Sequence, residues 1–181
     1  MTCEAELLDI FGGRATKRYG LAAINQLQHA LQSATLAERQ GDTPALIVAA
    51  LLHDVGHMVH ALGEAPAAEG VDDRHEAYGA DWLAARFGPE VSEPVRLHVA
   101  AKRFLVSAEP AYVERLSSDS IRSLVIQGGA MDAAEQAAFR DEPHFEAAVR
   151  LRRIDEAAKD PNAQTPDFAY FLRTYVDRLA R

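Results

Sequence analysis

Cysteine is nearly missing from this chain of 181 residues, with Cys3 its sole representative. An intramolecular disulfide and a cysteine-rich zinc site are thereby excluded. Basic charge is also short. Lys and Arg number 19 against 27 Asp and Glu, a formal net charge of −8. With no long basic stretch, the chain is not expected to be a general binder of nucleic acid or membrane surfaces, although one pocket can still be basic. No apolar run reaches the roughly 18 residues that a membrane span requires. The opening MTCEAELLDIFGG is acidic and lacks a basic segment, so it does not read as a signal peptide, and the expected location is the cytoplasm. Runs of β-branched residues are short. What remains is ordinary globular material, 48% apolar and 25% charged, in a length that predicts one domain over residues 1–181.

The apolar periodicity is helical nearly throughout, which predicts an all-α bundle. A first helix is expected over Cys3 to Phe11, stopped by Gly12-Gly13. A stripe from Ile24 through Leu27, Ala30, Leu31 and Ala34 predicts a second, ending at Gly41. Thr43 and Pro44 form a start signal. The following stretch, Ala45 to about Met58, is apolar on nearly all sides and reads as one central buried helix. Ala61 to Asp73 reads as a loop, His75 to Phe87 as a helix, and Pro94 to Ala101 and Glu109 to Arg115 as short helices. Asp132 is a cap for Ala133 to Phe139. Pro143 to Ala158 is a strong helix, and Asp167 caps a last one, Phe168 to Leu179. Phe104, Phe168, Tyr170 and Phe171 read as core aromatics, and Gly128-Gly129 as a tight turn.

The chemistry concentrates at Leu51-Leu52-His53-Asp54-Val55-Gly56-His57, where a His-Asp pair sits in the most apolar stretch. A buried unpaired carboxylate costs several kcal/mol, so the pair needs a hydrogen-bond partner, a cation or a metal. Other histidines also interrupt apolar helical patterns: His29, His75 and His98. Asp155 does the same in Arg152-Arg153-Ile154-Asp155. Four imidazoles and two carboxylates, on separate segments, suit two adjacent transition-metal ions held in a bundle core.

The ordered pattern His29 … His53-Asp54 … Asp155 resembles the signature of the HD-domain metalloprotein superfamily, over about residues 19–160. His75 and His98 match its two-metal subset. Tyr19 before His29, His57 after the pair, Lys102 after His98, Gln127-Gly128-Gly129 and Ala148 to Asp155 together resemble its organophosphonate-cleaving oxygenases, relatives of myo-inositol oxygenase. That resemblance implies a mixed-valence Fe(II)/Fe(III) pair with O2 as co-substrate. His29, His53, Asp54 and Asp155 would hold one iron, and Asp54 would bridge to a second held by His75 and His98. His57 would respond to substrate entry, Tyr19 would gate the site, and Lys102, Ser120 and Arg152 would hold the phosphonate. The implied reaction oxidises C1 of a 1-hydroxyalkylphosphonate and breaks the C–P bond, giving a carboxylate and inorganic phosphate. Members that accept a primary amine carry a Glu where this chain has Ala22. A primary ammonium needs an acceptor, whereas a trimethylammonium does not. The implied substrate is then (1-hydroxy-2-trimethylammonio)ethylphosphonate and the product glycine betaine.

Blander readings stand beside these. His57 could be a hydrogen-bonding partner of other site residues, Arg150 and Arg153 a solvated face, and Ser120 part of a cap, with Ser118 its rival. His60 and His144 read as surface residues. The same six donors would serve a metal-dependent phosphohydrolase acting on a nucleotide or other phosphate ester, or a regulatory module without catalysis. Dependence on O2 separates the first of these from an oxygenase.

Overall fold

A computed structural model describes residues 3–17, 21, 23–60 and 66–181. Tyr19 and Ala22 lie outside the described residues, so the gating and substituent assignments made for them have no structural counterpart here. All regular structure among the described residues is helical. The elements are α1 (Cys3–Gly12), α2 (Gln26–Arg39), α3 (Pro44–Leu52), α4 (Gly56–Val59), α5 (His75–Ala84), α6 (Pro89–Ala108), α7 (Pro110–Val113), α8 (Ser118–Ile126), α9 (Ala133–Arg140), α10 (Phe145–Ala157), α11 (Phe168–Phe171) and α12 (Asp177–Leu179).

Local chemistry explains most of the boundaries. Asn25 and Asp132 each close a reciprocal capping box at the start of α2 and α9. Thr43 accepts from the Leu46 amide with Pro44 in the first turn. α3 is then apolar all round, and Leu46 through Leu52 are buried. It lies at the centre, packed by α2, α6 and α10. Each of its fully buried Leu, Ile or Val side chains contributes about 1.5–3 kcal/mol relative to exposure.

Two expectations are corrected. The central helix does not run to Met58. α3 stops at Leu52, and α4 begins after a turn in which Val55 N donates to Leu52 O at 3.0 Å and His57 N to Asp54 O at 3.1 Å. The cause is Gly56. A Cβ there would meet the carbonyl oxygen of His75 at 1.8 Å, so the chain turns to lay α4 backbone-to-backbone on α5. Second, Pro94 does not start a helix. It lies inside α6, whose twenty residues begin at Pro89. Burial of Val91, Val95, Leu97 and Leu105 along that helix outweighs the one backbone hydrogen bond that Pro94 lacks. The last helix runs from Phe168 to Leu179 as expected, with π winding over Leu172–Val176 that seats Leu172 and Val176 in the core.

The core falls into two clusters. One gathers α1, α2, α3 and the chain end, with Phe11, Leu51 and Phe171 buried in it. The other gathers Leu97, Phe104, Tyr112 and Phe139 around the second half of α6. α6 and α10 belong to both and pack on each other, so side chains between the clusters are held from either side.

Candidate metal centre and anion pocket

The turn after α3 presents His53 and Asp54, and four other helices converge on it. α2 supplies His29, α5 begins with His75, α6 supplies His98 and α10 supplies Asp155; all four of these are buried. His29 Nε2 stands 3.1 Å from His53 Nε2 and 3.2 Å from Asp155 Oδ1. His75 Nε2 stands 3.2 Å from His98 Nε2. Asp54 lies between the groups. Its Oδ2 is 3.7 Å from His29 Nε2, and its Oδ1 is 3.4 Å from His53, 3.8 Å from His75 and 3.9 Å from His98, all at Nε2. The donors thus form two sets, His29-His53-Asp155 and Asp54-His75-His98.

Each ring's other nitrogen is occupied. Nδ1–H donates to Ala158 O from His29 at 2.9 Å, to Ala50 O from His53 at 2.9 Å and to Val95 O from His98 at 2.7 Å. That of His75 donates to Asp73 Oδ1 at 2.9 Å. These bonds fix the tautomers and turn four Nε2 lone pairs inward. Two lone pairs about 3 Å apart repel, whereas a cation shared by them turns the repulsion into two bonds. The electrostatics agree. Burial alone would raise the Asp54 carboxyl, yet the surrounding imidazoles, His53 foremost, hold it well below the usual carboxylate range. Burial pulls His53 down, but Asp54 and Asp155 outweigh it and carry its pKa up to about 9. The site favours positive charge where the rings meet, and its nitrogen and carboxylate donors fit divalent or trivalent iron.

A cavity of about 170 Å³ opens beside this centre, lined by His57, Asp73, Lys102, Ser120, Arg152 and Lys159 among others. That is room for a small molecule. Arg152 is buried, with partners for four of its five N–H donors. Its Nε donates to Tyr112 Oη at 2.9 Å, its Nη1 to Asp155, and its Nη2 to Ser120 Oγ at 3.0 Å and to Glu156. Lys102 Nζ donates to Ser123 Oγ at 2.8 Å. Burial, then the neighbouring Arg152, pull its pKa down to about 7. Lys159 Nζ lies 3.0 Å from Glu156 Oε2 and 3.1 Å from Ser120 Oγ.

The comparisons now bear on this geometry. The HD domain family model matches residues 27–157. The chain is an HD-domain protein. Among its relatives, the [1-hydroxy-2-(trimethylamino)ethyl]phosphonate dioxygenase (glycine-betaine-forming) of Leisingera caerulea is 41% identical over 162 residues, 90% of this chain and 83% of the relative. The hydroxymethylphosphonate dioxygenase of Gimesia maris is 44% identical over 153 residues, 80% of this chain and 73% of the relative. The uncharacterized protein L432 of Acanthamoeba polyphaga mimivirus is 30% identical over 177 residues, 96% of this chain and 79% of the relative.

This HD-domain protein holds its site with residues that the sequence reading passed over. Asp73 fell in a stretch read as loop, yet it is buried and accepts from His57, His75 and His60. His60 is therefore not a surface residue, for its side chain is 2% exposed. Glu156 accepts from Ser120, Arg152 and Lys159 and from the Ser117 amide. Its place four residues after Arg152 was a readable signal. Lys159 sits past the end of α10, where helical spacing no longer guides. Ser117 caps α8 and Ser120 faces Arg152, so the SSDS segment serves both as cap and as pocket wall. Arg150 and Arg153 pair with Asp42 and Glu109, away from the cavity lining.

Proposed function

We propose that this HD-domain protein is a di-iron oxygenase that uses O2 to cleave the C–P bond of a 1-hydroxyalkylphosphonate. The observation that carries the reading is the pairing of two donor sets, joined at Asp54, with a cationic pocket that opens onto them. His29, His53, Asp54 and Asp155 would hold one iron, and Asp54, His75 and His98 the other. Bound there, an Fe(II)/Fe(III) pair supplies the redox chemistry that activates O2. Two relatives spanning most of the chain are named phosphonate dioxygenases, which favours oxidation over phosphoester hydrolysis on the same donors.

The protein's own groups bind and orient. With Asp155 assigned to an iron, Glu156 is the carboxylate paired with Arg152 and Lys159, and Lys102 lines the same cavity. When Lys102 is protonated, the subsite is complementary to a phosphonate dianion, which is bound by charge-assisted hydrogen bonds. Ser120 supplies a neutral donor. Held at that end, the substrate presents C1 and its hydroxyl toward Asp54. His57, with Nε2 3.9 Å from Asp54 Oδ1 and a side chain 16% exposed, stands where a substrate must enter. Tyr19 is assigned to gating. The balanced reaction is R–CH(OH)–PO3²⁻ plus O2 giving R–COO⁻, HPO4²⁻ and H⁺. The carbon is oxidised, O2 is reduced, and the C–P bond breaks.

Ala22 in place of a carboxylate, together with the 41% identical relative, supports (1-hydroxy-2-trimethylammonio)ethylphosphonate as substrate and glycine betaine as product. The same proposal places the enzyme in the cytoplasm, with no nucleic-acid or membrane partner. Phosphate release is measured on the trimethylammonio, primary amino and hydroxymethyl substrates, with and without O2. Release is expected to stop without O2 and to be fastest on the trimethylammonio substrate. Unchanged anaerobic release overturns the oxygenase, and faster turnover of the primary amine overturns the substrate. A coupled Fe(II)/Fe(III) paramagnetic signal perturbed by substrate is the expected metal signature.

A further inference from the structure

The stretch before α5 holds a carboxylate that accepts four hydrogen bonds. Asp73 Oδ2 accepts from His57 Nδ1 at 2.6 Å and from His60 Nε2 at 3.2 Å. Its Oδ1 accepts from His75 Nδ1 at 2.9 Å and from the His75 amide at 3.3 Å. The His57 and His75 rings are stacked, with centroids 3.9 Å apart and planes 17° from parallel. Their far nitrogens aim at one atom: His57 Nε2 is 3.9 Å and His75 Nε2 is 3.8 Å from Asp54 Oδ1. Arg74, between Asp73 and α5, has a left-handed backbone with φ 49°. For a side chain with a Cβ this is a strained conformation, and it persists only where the surroundings impose it.

We infer that Asp73 is a positioning residue whose shared carboxylate locks His57 and His75 together with both Nε2 atoms turned to the second metal position. The inference rests on the two-ion reading of the site. An ionised carboxylate is acceptor-only and serves both rings at once, one from each oxygen. An amide cannot, since one of its two ends donates. Placing Asn at 73 leaves one ring facing another donor, and that ring either turns away or takes the tautomer with its proton on Nε2; in both cases its inward lone pair is lost. The His29-His53-Asp155 set makes no contact with Asp73 in this network and keeps its geometry.

The isosteric change also separates this role from a purely structural one. Asn keeps a side-chain oxygen that can accept from the His75 amide, so Asp73→Asn retains that bond at the start of α5. Asp73→Ser, which offers a single side-chain oxygen, reads the same way. Iron per chain is measured by mass spectrometry on reconstituted protein, alongside circular dichroism and the paramagnetic spectrum. The wild type is expected to hold two ions, and both variants to fold, to keep one and to lose the coupled signal. His60→Gln, which removes a partner of Asp73 but no inward-facing ring, is expected to keep two. Two ions with an unchanged spectrum in Asp73→Asn overturn the inference, as does simultaneous loss of both ions. If the wild type itself takes up fewer than two, the two-ion reading fails instead.

Discussion

Lys102 is a cation placed where water cannot stabilise it. Burial and Arg152 lower its pKa to about 7, so it is protonated below that pH and neutral above. A phosphonate dianion is bound by the protonated form. The kcat/KM profile, which reports the free enzyme, is therefore expected to fall as pH rises through about 7. In Lys102→Arg the guanidinium stays charged, and the fall attributed to Lys102 is expected to disappear. A profile unchanged by the substitution removes Lys102 from substrate binding. Lys159 belongs to the same argument. A hydrogen bond to a charged group is worth about 1.5–3 kcal/mol. Lys159→Met is expected to raise KM by about ten-fold or more with kcat nearly unchanged. Its side chain is 18% exposed, and Glu156 keeps Arg152 and Ser120 as partners when the ammonium is removed.

At the scale of elements, the break between α3 and α4 does most to build the site. A continuous helix would carry His53 and His57 on one face and leave α5 at helix-packing distance. Gly56 instead lets the α4 backbone touch that of His75, and Gly79 accommodates it on the other side. Gly56→Ala would put a methyl group 1.8 Å from His75 O, with backbone on both sides unable to yield. Overpacking of this kind costs about 1–3 kcal/mol in ordinary cores, and the upper end is expected here by urea unfolding. The second metal position is expected to empty with it, since His75 moves with α5. The sequence reading had Gly56 in view as part of LLHDVGH but placed it inside one long helix. Periodicity reports which faces are apolar, and both α3 and α4 carry buried residues, so nothing in the pattern marked the turn.

For the whole molecule, the centre is a clamp. Residues 29, 53, 54, 75, 98 and 155 come from five segments, two of which, α6 with His98 and α10 with Asp155, belong to both core clusters. Ions that bind the folded chain and not the unfolded one stabilise it by mass action. At a free concentration 1,000 times Kd this amounts to about 4 kcal/mol per site, or a shift on the order of 10 °C in Tm for a chain of this size. Chelation is therefore expected to lower Tm and readdition of iron to restore it, as read by differential scanning calorimetry. A Tm indifferent to chelator would separate these donors from any metal. No helix among the described residues is long and apolar enough to cross a membrane.

Much of this was legible in order along the chain. Composition and the 3.6-residue period determined an all-α protein. The buried HD pair with His29, His75, His98 and Asp155 named the donors, because charged groups in apolar helices announce a partner. Caps such as Thr43 and Asp132 set the helix starts, since their chemistry acts within three residues. Other features came from contacts between residues far apart in sequence. The tertiary structure oriented the His29 ring through the Ala158 carbonyl and joined His57 to His75 through Asp73. It also set Ser120 beside Arg152 and Glu156. Local propensity is written in neighbouring residues, as are the acceptors that orient His53, His75 and His98, whereas a bond across the fold such as that of His29 to Ala158 exists only where packing brings two distant segments together.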